Sequence, residues 1–459
     1  MNKKYFGTDG IRGQANSFPL DPETCLVVGR AVARYFRNKS DGQNCSSGII
    51  IGRDTRLSGG MIQAALMAGI LSEGINVHRI GILPTPAVAY LTSKWNGVAG
   101  IMISASHNPF EDNGIKIFDS SGNKLSDDVE NEIESLIHSI MSQDENRVDI
   151  NKKTGKIIGN EYRAKEEYTD FLISCISRVD LKAIKIVADC ANGAAYEIAA
   201  KLFDSLDLDV EWVGVDPDGI NINNRCGSEY PDLLAQKVLE NKADLGLAFD
   251  GDADRMIAVD DKGNVVRGDH LIYVYAKYLK ENEQLKGPVV TTVMSNLGLI
   301  RALESLGIEH VAADVGDRYV LASMKKNGAN LGGEDSGHLI FWDHHTTGDG
   351  LLAALKLMEI IAVSGRSLSQ LTDGIQKFPQ VLKNIDVIEK PNLEDHPIIS
   401  KAVNNAESEL GKMGRVLVRY SGTQNLCRVM VEAENEKLLN NTLNCLVGVV
   451  QDEIGMKKV

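Results

Sequence analysis

Short β-branched runs alternate with stretches of helical periodicity along most of this chain. Ile49 to Ile51 leads through Arg53, Asp54, Thr55 and Arg56 to an apolar helical stretch from Met61 to Leu71, then to Val77 to Ile82. Ile184 to Ala188 precedes a helix from about Ala194 to Phe203, followed by Val210 to Val215 and Leu245 to Phe249. Val289 to Val293 precedes a helix near Leu299 to Leu306 and then His310 to Ala313. This rhythm predicts parallel-rich sheets covered by helices. In open α/β sheets, ligand-binding loops gather at the carboxyl ends of strands. The last part differs: Val416 to Val418 and Val429 to Val431 flank a glycine-bearing loop, and a helical stretch runs from Glu436 to about Val450, predicting a small α+β module.

At 459 residues the chain exceeds one core, and about 150 residues per domain gives three or four. The expected fold class is α/β, with three α/β domains at residues 1–155, 156–258 and 259–370 and an α+β domain at 371–459. Residues 141–160, polar and lysine-rich, read as a linker or surface excursion.

The net charge of −14 argues against non-specific nucleic-acid binding, which needs clustered positive charge. An anionic substrate would then require Arg and Lys concentrated in one cleft. Seven cysteines lie scattered without a CxxC pair, a pattern suited to a reducing cytosol rather than to disulfides or zinc. The opening MNKKYFGTDGIRG turns polar before a signal-peptide core could form. No apolar stretch reaches the ~18 residues of a membrane span. The expected location is the cytoplasm, with neither a nucleic-acid nor a membrane partner.

Four polar segments carry the chemistry. Ser106 and His107, just past the apolar run Ile101 to Ile103, place a hydroxyl beside an imidazole, and an acidic turn follows that ends in Lys116. Asp250, Asp252 and Asp254 put carboxylates at alternate positions directly after Leu245 to Phe249. Three such groups are costly together unless a cation neutralises them, and oxygen ligands favour magnesium or a similar hard ion. An EF-hand fails, because Arg255 and Asp261 stand where Gly and Glu are required. An aspartyl nucleophile at Asp250 is the rival reading, weakened by the third Asp and Arg255. Ser106 is the candidate phosphoryl carrier, one of whose phosphate oxygens would join the three aspartates as metal ligand. His107 and Lys116 are candidate proton handlers, Lys116 only if its pKa is depressed, and Arg12 could also face a cleft.

Glu334 and Ser336, in the loop Gly333 to His338, offer an acceptor and a donor for vicinal sugar hydroxyls. Asp335 between them could favour an ammonium-bearing sugar if it faces the substrate. Arg419, Ser421, Gly422, Thr423 and Arg428 supply forks, hydroxyls and backbone N–H groups suited to a phosphate monoester. No GxxxxGK loop occurs, which argues against nucleotide hydrolysis.

Taken in order, FGTDGIRG, SASHNP with DNGIK, AFDGDADR, VGDRYV, GGEDSGH, TTGDG and RYSGT with RVMVE resemble the α-D-phosphohexomutases over nearly the whole chain. The resemblance implies four domains around a central cleft, three of them alike and the C-terminal one phosphate-binding. It implies a phosphoserine at Ser106, one Mg2+ on Asp250, Asp252 and Asp254, and catalytic roles around Ser106, Lys116, His107 and Arg12. Substrate contacts would come from Glu334, Ser336, His338, Arg255, Arg419, Ser421, Gly422, Thr423 and Arg428. FGTDGIRG, VGDRYV and TTGDG look like the branch that interconverts glucosamine 6-phosphate and glucosamine 1-phosphate through a sugar 1,6-bisphosphate, towards UDP-N-acetylglucosamine and cell-wall precursors. Phosphomannomutase or phosphoglucomutase activity is the alternative, and a silent sugar-phosphate-binding protein a third. The sequence leaves a homodimer open. Departures from the family pattern are Asp335, Gln424 and Asn425.

Overall fold

A computed structural model describes residues 5–7, 9–39, 47–142, 154–421 and 425–456. They fall into two compact units, Met1–Val293 with Glu309–Asp373, and Met294–Ile308 with Gly374–Val459. Among the described residues no helix is long and apolar enough to cross a membrane.

The first unit holds three mixed sheets. The first sheet contains β1 (Phe6–Gly7), β2 (Gly10–Gln14), β3 (Ile49–Arg53), β4 (Val77–Ile82), β5 (Ala99–Ile103), β6 (Asp112–Asp119) and β7 (Ile157–Gly159), in the order β1-β2-β6-β5-β3-β4-β7. The second contains β8 (Lys185–Asp189), β9 (Asp209–Val213), β10 (Leu245–Phe249), β11 (Met256–Val259) and β12 (Val265–Val266), ordered β12-β11-β10-β8-β9. The third contains β13 (Val289–Thr292), β14 (His310–Ala313), β15 (Leu331–Gly333) and β16 (Leu339–Phe341), ordered β14-β13-β15-β16. In each, a parallel block continues into antiparallel strands on one side. The inner strands of the parallel blocks, such as Ile49 to Ile51 and Leu245 to Phe249, are buried throughout, as strands covered on both faces must be, with apolar residues at nearly every position.

The expected strands and helices form where periodicity placed them, within a few residues. Two boundaries move. Ile157–Gly159 pairs in parallel with β4, so part of the expected linker is an edge strand; residues 143–153 lie outside the described residues. The cut at 258 falls inside β11, and the second sheet runs on to Val266.

The second unit is built on an antiparallel sheet of β17 (Gln380–Asp386), β18 (Gly414–Tyr420) and β19 (Leu426–Ala433), with β19 in the centre. Helices Pro397–Leu410 and Glu436–Ile454 pack on it through Ile399, Leu410, Val429, Val431, Leu443 and Val450. Residues 294–308 belong to this unit, which the expected boundary at 370 missed. The buried Glu432 carboxylate accepts hydrogen bonds from Asn296 Nδ2 (3.1 Å), Leu297 N (3.1 Å) and Arg415 Nε (2.5 Å). Asn296 Oδ1 in turn accepts from Phe378 N at 2.9 Å.

Candidate active site

The candidate loops share one topological position, the connection between neighbouring antiparallel strands. Ser106 lies between β5 and β6, the three aspartates between β10 and β11, and Glu334 and Ser336 between β15 and β16. In the second unit, Ser421 begins the connection from β18 to β19. Each of the first three therefore leaves the carboxyl end of a parallel-paired strand, which exposes loop backbone and side chains at the same end of its sheet.

Ser106 is buried and its Oγ donates to Asp250 Oδ2 at 2.5 Å, joining the first and second sheets. Its φ of 54° lies in the left-handed region, a conformation that costs about 1–3 kcal/mol and persists only where the surroundings enforce it. Here they do. Ser106 N donates to Ser104 Oγ (2.9 Å), and Ser106 O accepts from Asn223 Nδ2 (2.9 Å) and from the fully buried Arg56 (3.2 Å). Arg56 and Asn223 also both reach Asn108 O. Asp54 fixes Arg56 through a 2.5 Å ion pair, and removing one partner of such a buried pair costs ~3–5 kcal/mol. Opposite the loop, a Cβ on Gly251 would meet Ser106 O at 2.5 Å, so only glycine allows this approach.

The three aspartates are buried, and one oxygen from each lies within 4.8 Å of the others. Lys116 Nζ sits 2.7 Å from Asp252 Oδ2 and 3.2 Å from Asp254 Oδ2. Thr85 also donates to Asp252 Oδ2. Lys116 and Arg255 are two cations against three carboxylates, and Asp252 Oδ1 and Asp254 Oδ1 are buried without a hydrogen-bond partner. Buried, unpaired anionic oxygens are unfavourable, and a divalent cation with oxygen ligands fits both the charge and the donors. The electrostatics divide the set. Burial, with Asp254 and Asp252 beside it, raises the pKa of Asp250 well above the carboxylate range. Burial would raise Asp254 too, but Lys116, His338 and Arg255 hold it well below.

Lys116 corrects an expectation. It lies within β6, opposite Met102 of β5, rather than in a turn. Burial alone would depress its pKa, but Asp252, Asp254 and Asp9 raise it well above the ordinary lysine value, the opposite direction from the depressed pKa a base would need. His107 is the better proton acceptor. Burial, then Arg255, lowers its pKa. Its Nδ1 lies 3.2 Å from the Arg255 guanidinium and 3.3 Å from Ser106 Oγ; arginine only donates, so Nδ1 is the accepting nitrogen.

Arg12, on β2, pairs with Asp9 at 2.5 Å and approaches Ala105 O at 3.5 Å. Glu334 accepts Gly316 N–H at 3.0 Å and stands 3.4 Å from Ser336 Oγ, both side chains remaining partly accessible. His338 is buried. Gly348 N–H donates to its Nε2 at 3.0 Å, which places the ring proton on Nδ1, 3.7 Å from Asp254 Oδ1. Asp335 turns to the start of helix Gly268–Glu281, accepting Asp269 N–H at 3.2 Å with Arg267 at 3.3 Å, so its carboxylate is committed there and not beside Glu334 and Ser336 as a sugar contact.

In the second unit, Arg419 and Arg428 are directly paired across β18 and β19 and so share a face. Like charges so placed repel, and an anion between them removes the repulsion. Arg428 Nε is buried with no hydrogen-bond partner. Ser421 N donates to Leu426 O at 2.9 Å, and Lys390 Nζ reaches Ser421 O at 3.0 Å. Gly422 and Thr423 lie outside the described residues.

Sequence reasoning passed over Arg56, Thr85, Asn223, Asp9 and Lys124. Arg56 and Asp9 stand in segments that were read for other reasons. Asn223 gave one signal, a polar cluster NINNRCGS without regular periodicity.

Residues 3–144, 166–263, 267–378 and 382–444 match, in order, alpha/beta/alpha domains I, II and III and the C-terminal domain of phosphoglucomutase/phosphomannomutase. The phosphoglucosamine mutase of Bacillus subtilis (strain 168) is 48% identical over 458 residues, covering 99% of this chain and 100% of its own. That of Syntrophus aciditrophicus (strain SB) is 47% identical over 457 residues, covering 98% and 100%. Among solved structures, a phosphoglucomutase/phosphomannomutase family protein from Burkholderia thailandensis has a TM-score of 0.79 at 23% identity, covering 98% of this chain and 99% of its own. Aspergillus fumigatus N-acetylphosphoglucosamine mutase, in complex with GlcNAc-6P and magnesium, has a TM-score of 0.70 at 18% identity, covering 98% and 96%. At these identities the structural likeness speaks for the fold.

Proposed function

The chain belongs to the phosphoglucomutase/phosphomannomutase family, and from that premise we propose that it is an isomerase interconverting glucosamine 6-phosphate and glucosamine 1-phosphate. The observation that carries the reading is the 2.5 Å approach of Ser106 Oγ to Asp250 within a buried, under-neutralised carboxylate set. Substrate choice draws on full-length relatives at 47–48% identity named phosphoglucosamine mutase.

Ser106 carries the phosphoryl group between the sugar's two hydroxyl positions, passing through a 1,6-bisphosphate. The left-handed backbone and the Arg56 and Asn223 clamps hold Oγ against the aspartates before substrate arrives, which is the preorganisation transfer requires. When the Ser106 hydroxyl attacks a sugar phosphate it turns from Asp250 to His107, 3.3 Å away, which takes its proton and passes it to the sugar oxygen released. When phosphoserine transfers back, His107 takes the sugar hydroxyl's proton and returns it to Ser106. Lys116 and Arg255 supply fixed positive charge at the transfer point. Magnesium, held by Asp250, Asp252, Asp254 and a phosphoserine oxygen, would neutralise charge on the moving phosphoryl group. Glu334 and Ser336 orient the sugar hydroxyls, and Arg419, Ser421, Gly422, Thr423 and Arg428 grip the phosphate that is not transferred. His338 acts through Asp254. Among the described residues the free cysteines are buried except for Cys445, which suits a reducing cytoplasm.

Purified enzyme assayed with magnesium and a hexose 1,6-bisphosphate on glucosamine, glucose and mannose phosphates tests the substrate. The expected result is at least tenfold higher kcat/KM on glucosamine phosphate. Equal or higher efficiency on a neutral sugar would move the chain to phosphoglucomutase or phosphomannomutase chemistry.

A further inference from the structure

Apart from the three aspartates, a run of polar side chains links Lys116 to His338 through Asp9, Lys124 and Asp317, and no step above uses those last three. Lys116 Nζ, already paired with Asp252 and Asp254, lies 3.6 Å from Asp9 Oδ2. Asp9 Oδ1 pairs with Lys124. Lys124 Nζ lies 2.6 Å from Asp317 Oδ2, and the unprotonated Nε2 of His338 stands 3.5 Å from that same oxygen. The other nitrogen of His338 faces Asp254 at 3.7 Å, which closes a ring. The ring joins β6 (Lys116), the β1–β2 connection (Asp9), the segment that follows β6 (Lys124), the β10–β11 connection (Asp254), the start of helix Asp317–Asn327 (Asp317) and the β15–β16 connection (His338). It also gathers the Asp of FGTDGIRG, the Asp of VGDRYV and the His of GGEDSGH, motifs that are far apart in sequence.

We propose that Lys124 and Asp317 are positioning residues for phosphoryl transfer, because their ion pair fixes how much of the Lys116 ammonium is committed to Asp9 and how much to the metal-binding aspartates. The inference rests on the proposed mutase reading. Lys116 is shared among three carboxylates, and its distances, 2.7 and 3.2 Å to the triad against 3.6 Å to Asp9, reflect the fact that Lys124 already answers Asp9. Without Lys124, Asp9 is left to Lys116 and Arg12, and Lys116 is drawn from Asp252 and Asp254. The triad then carries more uncompensated negative charge, binds a divalent ion more tightly and holds its phosphoryl-facing cation less well. Without the Asp317 carboxylate, Lys124 turns wholly to Asp9, Lys116 is released towards the triad, and divalent-ion affinity falls.

The test measures magnesium affinity by calorimetry on unliganded protein, alongside kcat and KM, for Lys124→Met and Asp317→Asn. Lys124→Met should bind magnesium several-fold tighter while kcat falls at least tenfold and KM moves less than threefold. Asp317→Asn should bind magnesium several-fold more weakly, so the two variants shift affinity in opposite directions. Should Lys124→Met not fold, the sign of the shift in Asp317→Asn carries the test. Affinities unchanged within twofold, or kcat and affinity falling together in both variants, would give the pair a merely structural role and overturn the proposal. Calorimetry needs no sugar, so a wild-type enzyme that binds magnesium but turns over no glucosamine phosphate defeats the substrate reading and leaves this test standing.

Discussion

The Ser106 centre in the first unit and the Arg419–Arg428 pair in the second present contrasting electrostatics. Around Ser106 the carboxylates outnumber the cations that face them, backbone and side chains are buried, and the strained serine conformation is held by Arg56, Asn223 and the close approach of Gly251. At the β18–β19 connection, Arg419 and Arg428 stand opposite each other with like charge, an arrangement suited to an anion. The first is organised before ligand and suits bond-breaking, where a misplacement of ~1 Å can cost ~100-fold. On the proposed reading the second would capture and release a phosphate, as a bisphosphate that must turn over requires.

Four substitutions sharpen or break that contrast. Ser106→Ala removes the carrier itself; kcat should fall at least ~10³-fold, and intact-mass analysis should lose the phosphate adduct of active enzyme. An adduct on an aspartate instead would transfer the chemistry to Asp250. Next in size, Gly251→Ala pushes a methyl to 2.5 Å from Ser106 O and 2.9 Å from Asn223 Nδ2, displacing the serine loop; kcat should drop ~100-fold. Unchanged kcat would mean that the centre is not as rigid as its bracing implies. In the other region, Arg428→Ala removes a charged donor, worth ~1.5–3 kcal/mol. KM for the sugar phosphate should rise at least tenfold, with the Ser106 adduct retained. A fall in kcat with unchanged KM would erase the division of labour. Smallest of all, Asp335→Gln should change the ratio of kcat/KM on glucosamine and glucose phosphates by less than twofold, because that carboxylate is held by Arg267 and Asp269 N. A larger change would place Asp335 at the sugar after all.

Legibility followed range. Strands such as Leu245–Phe249 and the Asp triad after it were readable because periodicity and alternate carboxylates are local signals. Lys116 was misread as a turn residue: a strand whose Ile115, Lys116 and Ile117 are all buried shows no polar alternation, and Asp112, Asn113 and Gly114 before it look like a turn.

The sequence by itself determined the α/β elements, the loops at strand ends and the residue types of a magnesium-assisted phosphoryl transfer, since each depends on neighbours a few positions away. Only the tertiary structure decided which state those residues adopt. Lys116 is an ammonium because Asp9, Asp252 and Asp254, separated in sequence by more than a hundred residues on one side or the other, converge on it. Residues 294–308 join the C-terminal unit because Glu432 bonds Asn296 and Leu297. Charge state and rigid-body membership are set by what lies within a few ångströms in space, and that proximity is fixed by packing rather than by spacing along the chain.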